Sequence, residues 1–334
     1  MTTNKTNDRV HLHIDNDSSL GIVFQVTPER LEAALKRHPQ VAQKIRVTFE
    51  NDNNNFEQHM ATAEALMGWD IDVNRLCQQA PNLGWIHSTG AGVEQFAPFD
   101  WLPDHVAFTN NCGVHGDRAN EYAIMAILML NNRVPEMVTH QREGHWAQTF
   151  NTGIAGKTLL VVGVGHIGGG AAMWAKRFGM KVMGVRRTGE VHEFVDEMYQ
   201  PEDLRQVIPK ADYIILSVPN TPNTRQLIGK EEIDLIKTGG GLVNFTRAQV
   251  VDYDALRDRL ERQEISAILD NFDPEPLPDE SPLWNTPNLV ITPHCSSDDS
   301  EVYIPRTLDL LLENMALYLD GKPLKNRVDP EQGY

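Results

Sequence analysis

Three polar segments in the second half of the chain carry side chains suited to acid–base and anion chemistry: Arg247, Glu275 and His294 each follow an apolar run. An imidazole exchanges protons near neutral pH, and a carboxylate bonded to it fixes which ring nitrogen faces outward. A guanidinium binds a carboxylate through two parallel hydrogen bonds. Alone, Arg247 could be a salt-bridge partner and His294 part of a turn, but their joint order favours one catalytic site.

A glycine motif lies upstream of these residues. Gly163-Val164-Gly165-His166-Ile167-Gly168 follows the predicted strand Thr158–Val162 and precedes the helical run Ala171–Phe178. In this context the first glycine permits a tight turn, the second lets a pyrophosphate approach the backbone, and the third allows close helix–strand packing. The motif therefore predicts a dinucleotide-binding turn, with a plain glycine-rich turn as the alternative.

The residues after the next predicted strand bear on which dinucleotide binds. Lys181–Val185 is followed by Arg186, Arg187 and Thr188, where an acidic residue would be needed to bind a ribose 2′-hydroxyl. Guanidinium groups can instead clamp a 2′-phosphate. We therefore expect NADP(H) to be preferred over NAD(H); the alternative is a solvated basic turn.

These motifs, together with Ser217-Val218-Pro219 to Thr224, resemble the D-isomer-specific 2-hydroxyacid dehydrogenase family from about Leu83 to Leu319. The resemblance implies that Arg247 holds the substrate carboxylate and polarises its carbonyl, that His294 exchanges the proton, and that Glu275 pairs with His294. It also implies a D-2-hydroxy acid product. Hydride arriving at a keto carbon leaves an alkoxide that needs a proton, which gives these roles a chemical reason.

The family resemblance extends to further binding residues. Asp270 would contact the nicotinamide amide, and the loop Ser88–Glu94 would hold the substrate carboxylate with its backbone amides. The substrate-binding residues expected in that loop are Thr89, Gly90, Ala91 and Gly92. The expected cofactor-binding residues are Gly163, Gly165, His166, Ile167, Gly168, Arg186, Arg187, Thr188, Val218, Pro219, Thr224, Phe245, Thr246 and Asp270.

Two departures from the family pattern stand beside key residues: Ala248 replaces the usual glycine and Asn271 the usual valine. Both could alter substrate shape more than mechanism. Two other functions stay open on the same scaffold: a dinucleotide-sensing binding protein similar to transcriptional corepressors, and a phosphite-type dehydrogenase. Glu275 argues against a formate dehydrogenase, which carries glutamine there.

The sequence pattern predicts strands and helices that alternate along the chain. Short apolar runs alternate with amphipathic segments in the first hundred residues, and stronger runs repeat from Gly156. The pattern predicts two domains: a doubly wound Rossmann-type parallel sheet, residues 112–297, and a smaller flavodoxin-like parallel α/β substrate domain, residues 1–111 and 298–334. The substrate domain is expected to be discontinuous because the amphipathic stretch Val302–Asp320 should fold back onto it. The predicted strands are Val10–Ile14, Arg46–Glu50, Ala65–Trp69, Leu83–Ser88, Thr158–Val162, Lys181–Val185, Tyr213–Val218, Gly241–Phe245, Ala267–Phe272 and Leu289–Thr292.

The composition of the chain disfavours nucleic acids and membranes as partners. A net charge of -16 disfavours nucleic acid and anionic membrane surfaces, and the apolar stretch Tyr122–Leu130 is too short to span a bilayer and predicts a buried helix. Three widely spaced cysteines fit neither a disulfide framework nor a metal site, so no metal is expected and Cys295 is expected to be small packing filler. His87 is expected to be a packed strand residue. The polar beginning of the chain favours the cytoplasm, and the family resemblance implies a homodimer formed through the cofactor domain.

Overall fold

The computed structural model describes residues 9–334, which form two compact units. Unit 1 comprises residues 9–114 and Asp299–Tyr334, and unit 2 comprises His115–Asp298. Whether each unit folds independently, as domains at 1–111 with 298–334 and at 112–297 would require, stays a prediction. No helix among the described residues is both long and apolar enough to cross a membrane.

Unit 1 is built on a sheet of five parallel strands in the order β2-β1-β3-β4-β5. This is the flavodoxin-like order, which confirms the predicted class. The sequence missed β5 because its three residues end in a polar threonine and form no apolar run, unlike the equally short strand Leu289–Ile291. The strands are β1 Val10–Asn16, β2 Ile45–Asn51, β3 Ala65–Gly68, β4 Trp85–Ser88 and β5 Ala107–Thr109.

Unit 2 contains a sheet of seven parallel strands in the order β12-β11-β10-β9-β6-β7-β8. Its first six strands follow the Rossmann order, with β12 added beside β11. The sequence predicted six of the seven and missed β8, a short and partly exposed edge strand. The strands are β6 Thr158–Val162, β7 Lys181–Val185, β8 Glu197–Tyr199, β9 Tyr213–Leu216, β10 Gly241–Asn244, β11 Ser266–Leu269 and β12 Leu289–Ile291.

The helices cover these sheets. The α-helices are α1 Pro28–Arg37, α2 Pro39–Ala42, α3 Phe56–Met60, α4 Val73–Gln79, α5 Gly116–Asn131, α6 Val134–Arg142, α7 His166–Arg177, α8 Leu204–Val207, α9 Lys230–Asp234, α10 Tyr253–Glu261 and α11 Tyr303–Leu319. Short 3-10 helices span Ile22–Phe24, Glu94–Phe96, Phe99–Trp101, Pro201–Asp203, Ile208–Lys210, Ala248–Val250 and Pro282–Asn285.

Helix α11 returns the chain to unit 1, as the sequence predicted. Its residues Leu308, Leu311, Leu312 and Met315 are fully buried in the same core as Leu12 of β1. Burying a leucine contributes about 1.5–3 kcal/mol, so this stripe is a large part of the core of unit 1. Residues of α11 therefore complete the core that the strands of unit 1 share.

Helix α5 supplies the corresponding buried stripe in unit 2. Tyr122, Ala123, Ala126 and Ile127 are buried in a core shared with α7 and the strands, which confirms the predicted buried helix. Small alanines on this face allow α5 to pack closely against α7.

Candidate active site and dinucleotide turn

The candidate catalytic residues of unit 2 follow three neighbouring strands. Strands β10, β11 and β12 are parallel and adjacent, with Asn244 paired to Leu269 and Leu269 paired to Ile291. Arg247, Asp270 and His294 come just past these strand ends, so they emerge at one edge of the sheet. Carboxyl ends of parallel strands are where such sheets bind ligands.

His294 and Glu275 form the hydrogen-bonded pair that the sequence predicted. The Nδ1 atom of His294 lies 2.7 Å from Oε2 of Glu275, while Oε1 of Glu275 accepts a hydrogen bond of 2.7 Å from the backbone amide of Phe272. The two side chains are 44% and 34% exposed. Because Glu275 occupies Nδ1, Nε2 is the imidazole nitrogen that remains for a substrate.

Asp270 holds the turn that carries His294. Its buried carboxylate accepts hydrogen bonds from the Thr292 hydroxyl at 2.5 Å and from the amides of Cys295 and Ser296 at 3.1 and 3.0 Å. Its carbonyl accepts the amide of His294 at 2.9 Å. These bonds keep His294 in a left-handed conformation with φ of 48°, which is uncommon for a residue other than glycine. The expected contact of Asp270 with a nicotinamide amide stays a prediction.

Arg247 is held by the end of β10. The Asn244 amide donates to the carbonyl of Arg247 at 3.0 Å, and Nη1 of Arg247 donates to the carbonyl of Thr246 at 2.8 Å. Thr246 in turn donates through its amide and hydroxyl to Oδ1 of Asn244. The half-buried guanidinium is thus fixed on a rigid turn.

The sequence reasoning missed a second histidine beside this site. Nδ1 of His115 lies 3.3 Å from the Ser297 carbonyl and 3.7 Å from Oδ1 of Asp298. Burial lowers the pKa of His115; Asp298 opposes this, and the charges of Arg247 and His294 add to it. His115 is therefore within electrostatic reach of both residues. No motif marks it, because the contact joins α5 to the end of unit 2.

The three motif glycines occupy the positions that a dinucleotide turn requires. Gly163 has φ of +95°, and a Cβ there would lie 2.6 Å from the carbonyl oxygen of Ser217. A Cβ at Gly168 would collide with the Gly163 carbonyl, whereas a Cβ at Gly165 would meet nothing within 4 Å. Gly163 thus permits the turn, Gly168 permits the packing, and Gly165 borders open space.

Helix α7 begins at this open space without a side-chain cap and without an acidic residue in its first turn. Its first amides, at His166 and Ile167, and its dipole favour an anion there. The turn therefore fits a dinucleotide pyrophosphate.

The basic residues follow β7 directly. Arg186 is partly exposed and pairs with Glu190 at 3.3 Å, while Arg187 and Thr188 are exposed. The Thr188 hydroxyl donates to Glu190 at 3.2 Å. A basic turn thus follows β7 as predicted, and the Glu190 carboxylate already binds both Arg186 and Thr188.

The remaining expected cofactor residues follow β9 and β10. The Thr224 hydroxyl donates to the carbonyl of Pro219 at 2.6 Å, which closes the turn after Val218. Phe245 is 6% exposed and packs edge-to-face on Tyr122, with ring centroids 5.7 Å apart. Phe245 therefore has a packing role, whatever it contributes to a cofactor.

Unit 1 carries the expected substrate loop after β4. Thr89, Ala91 and Gly92 are partly exposed and Gly90 is buried. His87, which precedes the loop, is fully buried, and its Nδ1 lies 2.8 Å from the Thr109 hydroxyl. Burial lowers the pKa of His87 to about 4, with a smaller opposing effect from Asn111. His87 is thus a neutral, packed strand residue, as the sequence predicted.

The expectation for Cys295, which follows His294 in unit 2, is wrong. Cys295 is exposed and is not packing filler, because the turn at Pro293–Cys295 faces outward while the next residue, Ser296, is buried. In the part of the chain from 9 to 334, no group of three or more His, Cys, Asp or Glu residues is arranged to hold a metal ion.

The chain is similar in sequence to known proteins. Residues 124–296 match the family model for the D-isomer specific 2-hydroxyacid dehydrogenase, NAD binding domain. The chain is 31% identical over 268 residues to a glyoxylate reductase of Thermococcus litoralis, covering 77% of this chain and 80% of that protein. It is 28% identical over 318 residues to glyoxylate/hydroxypyruvate reductase B of Enterobacter sp. (strain 638), covering 92% and 97%.

A solved structure shows the same likeness in three dimensions. The D-isomer specific 2-hydroxyacid dehydrogenase from Xanthobacter autotrophicus Py2, in complex with NADPH and MES, is 27% identical and superposes with a TM-score of 0.81. The match covers 98% of this chain and 100% of that one.

Proposed function

Because the chain belongs to the D-isomer specific 2-hydroxyacid dehydrogenase family, we propose that it reduces the keto group of a small 2-keto acid with NADPH to give a D-2-hydroxy acid. The chain is an oxidoreductase with an NAD(P)-binding domain. The observation that carries the proposal is the His294–Glu275 pair at the same sheet edge as Arg247 and the glycine turn. The reductases named above act, by their names, on glyoxylate and hydroxypyruvate, which makes these two acids the first substrates to test.

The proposed mechanism assigns one task to each side chain. Arg247 binds the substrate carboxylate and draws electron density from the carbonyl. His294 gives the proton on Nε2 to the oxygen of the reduced carbonyl, while Glu275 keeps Nδ1 bonded and the ring oriented. Asp270 holds the turn of His294 at the required position. A nicotinamide dinucleotide held at Gly163, Gly165 and Gly168 would supply the hydride when bound.

The experiment for this proposal is a panel of glyoxylate, hydroxypyruvate, pyruvate and a branched 2-keto acid, each assayed with NADPH and with NADH. Reduction of at least one acid to the D product supports it. NADPH binding without turnover of any acid would instead favour a dinucleotide-sensing binding protein. Oxidation of phosphite with NADP⁺, but no reduction of keto acids, would favour a phosphite dehydrogenase.

The preference for NADPH is proposed from Arg186, Arg187 and Thr188, and the NADPH complex of the relative from Xanthobacter autotrophicus supports it. We expect Arg186→Asp to lose most of the preference, since the carboxylate would repel a 2′-phosphate and could bind a 2′-hydroxyl. Arg177→Asp, an equal charge change on the exposed end of α7, is the control. Equal catalytic efficiency of the wild type with NADH and NADPH would contradict this part of the proposal.

We further propose a homodimer formed through unit 2. Large apolar side chains stand exposed there: Trp146 is 93% exposed and Phe150 is 84% exposed, and Met125 and Met137 are also exposed. An apolar surface of this kind is typical of protein–protein contacts. Light scattering should show a dimer that Trp146→Ser with Phe150→Ser converts to monomer, whereas Trp284→Ser does not. A monomeric wild type at micromolar concentration would contradict the dimer.

The cytoplasm stays the proposed compartment. Cys77, Cys112 and Cys295 are all free thiols, and free thiols suit a reducing compartment.

A further inference from the structure

The substrate loop of unit 1 has its carbonyl groups turned into the protein. The Thr89 carbonyl accepts hydrogen bonds from Nδ2 of Asn111 at 2.8 Å and from the hydroxyl of Tyr303 at 2.5 Å. The Gly90 carbonyl accepts the amide of Asn111 at 2.9 Å, and the Ala91 carbonyl accepts Nδ2 of Asn110 at 3.0 Å. Three consecutive carbonyls are therefore bonded on one side.

The amide groups of the same loop have a different environment. The amides of Thr89 and Gly90 bond to the Gly68 carbonyl and the Ser88 hydroxyl. Across residues 9–334, the amides of Ala91 and Gly92 donate no hydrogen bond within the protein, and both residues are partly exposed. Successive free amides form a concave site that attracts anions. Each carbonyl lies in one peptide plane with the amide of the next residue. The bonds to the Gly90 and Ala91 carbonyls therefore orient the amides of Ala91 and Gly92, and the bonds to the Thr89 carbonyl orient the peptide that precedes them.

We propose that Tyr303, Asn111 and Asn110 are positioning residues that set the substrate carboxylate site by holding these carbonyls. This inference rests on the proposed function and adds residues that none of the motifs contains. Asn111 is suited to the task because it is fully buried and its Nδ2 also donates to the Thr307 hydroxyl at 2.8 Å. The loop is thereby tied to α11, which is itself anchored by the core of unit 1.

If these residues position the loop, their loss should change substrate binding and leave the chemical step unchanged. Tyr303→Phe removes one donor to the Thr89 carbonyl and leaves the ring in place. We expect KM for the best keto acid of the panel to rise roughly fivefold to tenfold, as loss of one net hydrogen bond does. The inhibition constant of oxamate should rise in parallel, while kcat and KM for NADPH stay within about twofold.

Two further variants separate positioning from general stability. Asn110→Ala, which frees the Ala91 carbonyl, should raise the same two constants. Tyr318→Phe makes the same chemical change on α11, where its hydroxyl is not bonded to the loop, and should leave KM unchanged. Unchanged KM and oxamate inhibition in both Tyr303→Phe and Asn110→Ala would overturn the inference, whatever their melting temperatures. A wild type that turns over no keto acid would instead overturn the proposed function.

Discussion

Each unit presents a candidate site at the carboxyl ends of parallel strands, but the two units build their sites from different groups. Unit 2 places ionisable side chains there, with His294 paired to Glu275, and Arg247 just past β10 in the same sheet. Unit 1 presents backbone amides on a loop held by neutral, buried side chains such as Asn111. Proton transfer needs ionisable side chains, whereas an anion can be held by oriented backbone amides alone.

The prediction with the largest effect tests the role of His294 in the side-chain site of unit 2. His294→Ala removes the proposed proton donor, and general acid–base catalysis contributes roughly 10²–10⁴-fold. We therefore expect kcat to fall by about that factor while NADPH binding, measured by fluorescence titration, survives. His105→Ala, at an exposed histidine of unit 1, is the control. Near-normal kcat in His294→Ala would show that the side-chain site is misassigned.

The second prediction concerns the backbone site within unit 2. Gly165→Ala places a methyl group in open space, so thermal stability should stay near the wild-type value while the Kd for NADPH rises. The cost of about 1–3 kcal/mol for overpacking corresponds to roughly 5- to 150-fold. Gly168→Ala, whose methyl would collide with the Gly163 carbonyl, should lose both stability and binding. Unchanged Kd in Gly165→Ala would remove the turn from the cofactor site.

The third prediction uses the neutral histidines of unit 1. Burial lowers the pKa of His13 to about 4, with the charges of His59 and His11 adding to it, and burial lowers the pKa of His87 to about 4. Below pH 6.5 these histidines are protonated in the unfolded chain but stay neutral in the folded chain. The free energy of unfolding therefore falls as the pH drops from 6.5 towards 4. Each histidine contributes up to about 1.4 kcal/mol per pH unit.

Asp15 acts in the opposite direction, since burial raises the pKa of its carboxyl to about 6. Between pH 6 and 3.8 the folded state holds a proton that the unfolded state has released, which partly offsets the loss. Urea unfolding at pH 7 and pH 5 should still show lower stability at pH 5, and His13→Gln should flatten this dependence while His105→Gln does not. A free energy of unfolding that rises on acidification would contradict the assignment of His13 and His87 as buried, neutral histidines.

The smallest expected effect concerns Glu190, which pairs with Arg186 at 3.3 Å. Glu190→Gln removes a carboxylate that would compete with a 2′-phosphate for the guanidinium. An exposed ion pair is worth about 0.2–1 kcal/mol, so the Kd for NADPH should fall by up to roughly fivefold. The Kd for NADH should not fall in the same variant. Weaker binding of NADPH would instead make Glu190 part of the cofactor contact.

Features recorded in a short run of residues could be predicted from the sequence, and features set by distant contacts could not. Strands β6 and β7 have the predicted bounds, because their apolar runs end at a glycine and an arginine. Strands β5 and β8 were missed because each mixes polar with apolar residues, whereas the equally short β12 is wholly apolar and was predicted. Cys295 was misread because exposure at a turn is set by the bonds that Asp270 makes to the neighbouring amides.

The residue types alone were enough to predict the glycine turn, the basic pair after β7 and the set Arg247, Glu275 and His294, because residues of these types just past strands carry their own chemistry. The contacts that hold these groups depend on tertiary packing. Tyr303 reaches the Thr89 carbonyl across a separation of 214 residues, and His115 reaches Asp298 from the start of α5. Such contacts arise when packed elements bring distant segments together, and no spacing along the chain records them.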